Sequence, residues 1–436
     1  MTASQLITLA VLAAVVVALI RDRLRSDIVA LAGAATLLVT GVVRPVEVQS
    51  AFASPAIIAL ASLFVIAYAM ELSGLLDATI RRVTALCQRI GKSGLWLLIA
   101  LCGSASAFLN NTPIVVLGAP VVRDVAQSLG LSPKRFLIPL SYAAVLGGCC
   151  TLIGTSTNLL VSDMAVVAGQ PRFGIFEITP VGVAVALTGG VYLLLFSHKL
   201  VRGGEAQIPP AGAELDTVEP GLAGGQVGSV LPFAKQVPLR PVRAVASVSV
   251  FVAVVALASF NVAPIAACAF GGAVLLIVLR IITPDEAYSG LRPEVLMLIA
   301  GMVVLGIALD VTGLAARVTD GLIAGLDGLS PLMALVIIYG ATLFATELLS
   351  NATVAVLFTP IAVSLAEALG VSPRPFLVAV MIAGSAAFAT PFGYQTNVLV
   401  YQMGSYNYVD FLRVGIPLNL VTWAAAVIAI REFFPF

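Results

Sequence analysis

Two apolar stretches of this chain, residues 94–128 and 331–366, are too long for one membrane crossing, and polar residues break each at its centre. The first break reads Leu109-Asn110-Asn111-Thr112-Pro113 and the second Leu349-Ser350-Asn351-Ala352-Thr353. Backbone outside a helix is tolerated at membrane depth only where protein buries it or a cavity meets it. Each stretch therefore reads as a re-entrant hairpin that enters, turns at its polar tip and leaves by the same side. Further apolar runs lie at 5–20, 27–43, 55–72, 134–167 and 176–197, then at 243–260, 263–282, 294–311, 374–402 and 411–430. Of the 436 residues, 60% are hydrophobic and 10% charged, against about 25% charged in a soluble domain. That excludes a soluble enzyme, a nucleic-acid reader and a disulfide-built secreted scaffold. The chain reads as an all-α polytopic membrane protein embedded in the bilayer.

The two sets of runs are copies. In so apolar a chain only Gly, Pro, Asn, Thr and acidic matches carry weight. Gly33/Gly272, Pro45/Pro284, Glu47/Glu286 and Gly74/Gly313 share an offset of 239. Asn111/Asn351, Pro120/Pro360 and Pro133/Pro373 share 240, while Thr151/Thr390, Gly154/Gly393, Thr157/Thr396 and Asn158/Asn397 return to 239. Glu177/Asp410 and Gly182/Gly415 share 233. Five crossings per copy is an odd number, so the second copy is expected upside down, an arrangement typical of secondary transporters. With the N-terminus outside, eighteen of the 23 Lys and Arg fall on the cytoplasmic side, as the positive-inside rule requires. The expected organisation is a first repeat over 1–198, a cytoplasmic linker over 199–242 and a second repeat over 243–436. The hairpin at 94–128 would open from the cytoplasm and that at 331–366 from outside. The location is a cell inner membrane.

The lesser segments read as follows. Arg21, Arg23 and Arg25 come after the first apolar run, the reverse of a signal peptide, so that run is expected to stay as a span. The linker is rich in Gly and Pro without helical period. Residues 75–92 read as an amphipathic helix on the cytoplasmic surface, with 314–326 as its weaker counterpart. Cys87, Cys102, Cys149, Cys150 and Cys268 lie in apolar runs without metal-ligand spacing and read as small core residues.

Four polar clusters could carry chemistry. Two are the hairpin tips, Asn110, Asn111 and Thr112, and Ser350 and Asn351. The others are the T-x-x-G-x-x-T-N runs, Thr151 to Asn158 and Thr390 to Asn397, which interrupt the stretches 134–167 and 374–402 and make each a broken helix. Broken helices present N–H groups to anions and free carbonyls to cations. No Lys or Arg lies in the clusters, so a bound divalent anion needs co-bound cations, and sodium suits carbonyl and amide oxygens. Glu347 precedes the second tip by one turn; its first-copy counterpart is Ala107, which favours a structural role over a coupling-ion role. The lone histidine, His198, ends a span, and there is no Ser-His-Asp or Cys-His set. Catalysis has no candidates: the chain is expected not to be an enzyme and to need no resident cofactor beyond co-transported sodium.

The tips, the broken helices and the run Ala389-Thr390-Pro391-Phe392-Gly393-Tyr394-Gln395-Thr396-Asn397, with 404–420 after it, resemble the divalent anion/sodium symporter family. These are sodium-coupled dicarboxylate, citrate and sulfate transporters of the ion transporter superfamily. The resemblance implies a homodimer working as an elevator, in which hairpins and broken helices slide against a scaffold of the other spans. It implies substrate contacts from Asn110, Asn111, Thr112, Ser350, Asn351, Thr157, Asn158, Thr396 and Asn397. Sodium would be held by Ser106, Asn111, Gly154 and Asn158, and by Thr346, Asn351, Gly393 and Asn397. Family tips read Ser-Asn-Thr; here Ser is replaced at Asn110 and Thr at Ala352. The lost donor ranks a sulfate-like oxyanion ahead of a four-carbon dicarboxylate. A sodium/proton or arsenite exchanger of the same superfamily is the alternative.

Overall fold

The computed structural model describes residues 2–21, 24–75, 78–79, 82, 90–201, 238–260, 262–314, 330–391 and 393–436. Most of the proposed surface helix at 75–92, of its counterpart at 314–326 and of the 199–242 linker lies outside them.

The described residues form eighteen helices and no strand, nine in each half and in the same order. The first nine are α1 (Ala3–Arg21), α2 (Ser26–Val39), α3 (Pro45–Phe52), α4 (Pro55–Leu72), α5 (Lys92–Ser106), α6 (Asn111–Ser128), α7 (Lys134–Gly148), α8 (Ser156–Val167) and α9 (Thr179–Leu200). Their counterparts are α10 (Pro241–Ser259), α11 (Ile265–Val278), α12 (Pro284–Gly290), α13 (Pro293–Val311), α14 (Pro331–Thr346), α15 (Asn351–Ala368), α16 (Arg374–Ser385), α17 (Gln395–Gly404) and α18 (Tyr408–Phe433). Five helices among the described residues are long and apolar enough to cross a membrane alone, a sixth counting the pair α12–α13, bent by 55°. The remaining spans are short or interrupted helices, as the hairpins and breaks demand.

Many of the repeated residues are helix punctuation. Pro45 and Pro284 sit at the first positions of α3 and α12, where proline costs no hydrogen bond. The carboxylates of Glu47 and Glu286 reach back to the N–H groups of Arg44 and Thr283 at 2.7 and 2.8 Å, and the Thr283 hydroxyl accepts the Glu286 N–H in return at 3.2 Å, closing a capping box there. Gly130 and Gly370 take φ of +67° and +66° just after α6 and α15, a conformation other residues resist.

Packing divides the helices into two groups. In the first, α13 lies on α1, α2 and α3, while α4 lies on α10, α11 and α12. Each copy thus lends its fourth helix to the other. The second group repeats the exchange. Helices α5, α6 and α7 pack together and α6 and α7 hold α17, while α14, α15 and α16 pack together and α15 and α16 hold α8. The break in each broken helix is where the chain crosses to the opposite copy. Helices α9 and α18 pack on each other and on α7 and α16, so they join the hairpin group and not the scaffold expected for them. Gly182 and Gly415 make that possible: a Cβ at either would collide with the backbone of the broken segments, at Cys149 or Phe388. The two groups meet where α13 touches α8 and α15 and where α4 touches α8.

Candidate functional site

Each hairpin tip is a four-residue turn whose last residue caps the returning helix. The Asn110 side chain accepts the Thr112 N–H at 3.4 Å, and Ser350 Oγ accepts the Thr353 N–H at 3.2 Å. One residue further, Asn111 and Asn351 begin α6 and α15 with side chains turned inward, 2% and 8% exposed. Ser106 donates to Asn111 Oδ1, and Thr346 Oγ1 donates to Asn351 Oδ1 at 2.9 Å. The two tips are therefore built alike, from residues 240 apart.

The breaks, 149–155 and 386–394, are folded alike as well. Thr151 donates to the Ala107 carbonyl, and Thr390 Oγ1 to the Glu347 carbonyl at 3.2 Å, so each break is tied to the tip of its own copy. Gly154 N–H donates to Thr151 Oγ1 and Gly393 N–H to Thr390 Oγ1, both at 3.1 Å. Asn158 Nδ2 donates to the Thr151 carbonyl at 3.0 Å and Asn397 Nδ2 to the Thr390 carbonyl at 3.2 Å. A Cβ on Gly154 would run into the Gly148 and Ala107 carbonyls, and one on Gly393 would lie 2.9 Å from Thr390 Oγ1. The outcome is two buried cages of amide, hydroxyl and carbonyl oxygen. One combines Ser106, Asn111, Gly154 and Asn158; the other combines Thr346, Asn351, Gly393 and Asn397.

The cages differ in detail. Asn111 Nδ2 donates to the Tyr394 hydroxyl at 2.9 Å, whereas Asn351 Nδ2 is buried with no partner. Thr112 Oγ1 lies 3.3 Å from Gln395 Oε1. Thr157 and Thr396 are 3% and 0% exposed; Thr157 stands beside Thr155, and Thr396 beside Ser141 at 2.7 Å, so both are packed inside the protein and neither lines the cleft between the two helix groups. Glu347 is fully engaged: its carboxylate accepts the Ala389 and Thr390 N–H groups at 2.7 and 2.9 Å and Asn419 Nδ2 at 2.7 Å. It fastens the second break to the second tip and to α18.

A narrow cleft lies between the two helix groups. Asn110, Gly154, Thr155 and Ser156 supply its polar wall; Leu60, Leu63, Phe64 and Phe251 of α4 and α10 supply much of its apolar one. Sequence reasoning passed over Thr155, Ser156, Tyr394 and Ser141. Tyr394 was legible as the residue 239 beyond Thr155, each the cap of the second half of a broken helix. Among the described residues there is no cluster of His, Cys, Asp and Glu fit to hold a metal ion.

Paired hairpins and helices broken over buried polar cages define a multi-pass membrane transporter. The citrate transporter family model matches residues 16–367 and 348–436, and the chain belongs to that family. It is 24% identical to an uncharacterized transporter of Synechocystis, over 98% of this chain and 97% of the relative. It is 45% identical to sodium/sulfate cotransporter 1 of Chlamydomonas reinhardtii over 109 residues, covering 23% of this chain and 12% of that one. The fold is similar to that of the Alcanivorax borkumensis YdaH transporter, with TM-score 0.58 and 12% identity over 88% of this chain and 86% of that one.

Proposed function

We propose that this transporter moves a small divalent anion together with sodium. The observation that carries the reading is the pair of matched cages, in which Asn111 and Asn351 turn their Oδ1 atoms towards serine and threonine hydroxyls beside the glycine-lined breaks. Such neutral oxygens are hard ligands suited to an alkali cation. The tip clusters hold no Lys or Arg, so the charge that balances a divalent anion comes from co-bound sodium. Asn110, the cap of α8 at Thr155 and Ser156 and the unpartnered Asn351 Nδ2 are donors suited to the anion, helped by the positive end of a helix dipole.

The cleft lies where the hairpin group faces α4 and α10. That placement fits an elevator in which α5–α9 and α14–α18 carry the cargo past a scaffold of α1–α4 and α10–α13. The scaffold would dimerise, the copies would be inverted in a cell inner membrane, and the N-terminus would lie outside. A sulfate-like oxyanion ranks ahead of a dicarboxylate or citrate. Ala352 removes one tip donor, worth about 1.5–3 kcal/mol towards a charged group, and a long anion with a carboxylate at each end loses more by it. The segment shared with a sodium/sulfate cotransporter points the same way. Thermal-shift measurements on purified protein in sodium decide the ranking: sulfate or thiosulfate should stabilise at concentrations where succinate and citrate do not. Stabilisation by succinate or citrate alone would reverse it.

A further inference from the structure

The polar clusters of the hairpin group hold no Lys or Arg, yet the scaffold sets one guanidinium beside them. Arg292 lies in the two-residue elbow between α12 and α13, where the helix pair bends by 55°. Its Cζ stands 5.9 Å from the centre of the Phe64 ring, and Phe64 lines the cleft. Its charge also acts on Tyr394, the residue before α17 whose hydroxyl accepts Asn111 Nδ2 at 2.9 Å. The group therefore stands where the scaffold wall of the cleft faces the hairpin group.

Arg292 is half-buried, and among the described residues its side chain has no ion pair and no hydrogen bond; its partner is the Phe64 ring. The acids that flank it in sequence are engaged elsewhere: Glu286 holds Arg243 at 3.1 Å, and Glu294 interacts with Arg25. Nor does it behave as an interfacial arginine, which snorkels to the headgroups. Phe64 lies eight residues before the end of α4 at Leu72, about 12 Å along the helix. Gly290, just before the elbow, lies against Tyr68, one turn nearer that end, so Arg292 reaches inwards along α4. An aromatic face compensates a partly desolvated cation less well than an oxyanion does, and the guanidinium fork suits two oxygens of one anion at once. The offset of 239 sets Ala53 in the place of Arg292, with Ser54 beside it. The cation belongs to one face of the protein only.

We infer that Arg292 is an anion-binding residue supplied by the scaffold: it takes two oxygens of the divalent anion when the site faces it, and nothing equivalent does so on the opposite side. The inference rests on the anion–sodium reading above. Sodium balances the anion in transit, and Arg292 adds a fixed positive charge at one end of the path, the cytoplasmic end in the orientation proposed.

The test begins with sulfate, thiosulfate, succinate and citrate titrated against the melting temperature in saturating sodium, which identifies the anion that stabilises the wild type. For that anion the half-effect concentration should rise about tenfold or more in Arg292→Met, and less in Arg292→Lys, which keeps the charge without the fork. The sodium curve without anion should not move. Arg292→Gln, polar but neutral, takes the place of the methionine variant should that one not fold. In vesicles of defined orientation, the KM for anion uptake should rise from one face only. An unaltered anion curve in a folded neutral variant, or an equal rise in KM from both faces, would overturn the inference and leave sodium-coupled anion transport standing. A wild type that anions stabilise equally in choline would overturn the sodium coupling and leave Arg292 its role. A wild type that none of the four anions stabilises would overturn both.

Discussion

Lys134, at the start of α7, donates its ammonium to the carbonyl of Ser405 at 2.5 Å, tying the first copy's broken helix to the connector after the second copy's. The relation is reciprocal. Arg374, 240 residues on, donates to the carbonyl of Arg172 at 3.2 Å, and Arg172 lies 233 residues before Ser405. Each cation also faces an aromatic ring of the connector it holds. Lys134 Nζ is 5.8 Å from the Tyr406 ring and Arg374 Cζ is 3.8 Å from the Phe173 ring. These crossed latches hold α8 and α17 in the opposite copy and make the hairpin group one body.

Breaking a latch should loosen that body. Arg374 adds a salt bridge to Glu177 at 2.7 Å and a bond to the Pro171 carbonyl. Arg374→Met should therefore destabilise more than Lys134→Met, by about 2–4 kcal/mol against about 1–3, since charged hydrogen bonds and a stacked cation are lost together. Melting temperatures in detergent check the order; equal melting of both variants and wild type would remove the latch from the account.

The tip amides should matter for transport more than for folding. Asn111→Ala removes the partners of Ser106 and Tyr394, and Asn351→Ala removes one of the two acceptors beside Thr346 Oγ1, which keeps the Gly384 carbonyl at 2.8 Å. Uptake should fall by about tenfold or more in either, as expected for loss of one bond to a charged ligand, while the protein still purifies as a folded species. Normal uptake by both variants would make the tips packing elements. Tyr394→Phe, which only releases Asn111 Nδ2, should have the milder effect.

Glu347 separates structure from coupling. Glu347→Ala leaves the buried N–H groups of Ala389 and Thr390 and the Asn419 amide without their acceptor, a loss of about 1–3 kcal/mol for each donor. Glu347→Gln keeps an acceptor oxygen. The glutamine variant should melt well above the alanine variant and keep its sodium response. A folded glutamine variant that had lost that response would give Glu347 a part in ion coupling.

The repeat was legible because rare residues must recur where geometry is special. Asn111 and Asn351, Gly154 and Gly393, and Thr151 and Thr390 were all found by offset, and each pair makes matching hydrogen bonds. The exchange of α4 with α13 and of α8 with α17 was not legible, since Ala, Val and Leu pack equally well on either copy. Placing α9 and α18 with the hairpins depends on Gly182 and Gly415 lying against the broken backbone, a contact that hydropathy cannot report. Ser141 and Tyr394 were missed for another reason. They pair across the copies, with Asn397 and Asn111, and their counterparts by offset, Val380 or Met381 and Thr155, are residues of other types.

The central claim, anion movement coupled to sodium, is tested most directly by radiolabelled sulfate uptake into proteoliposomes holding the purified protein. An inward sodium gradient should drive accumulation, and replacing sodium by potassium at the same ionic strength should abolish it, because the cages are built of neutral oxygens matched to one ion size. Accumulation driven equally well by a proton gradient in sodium-free buffer would contradict the account.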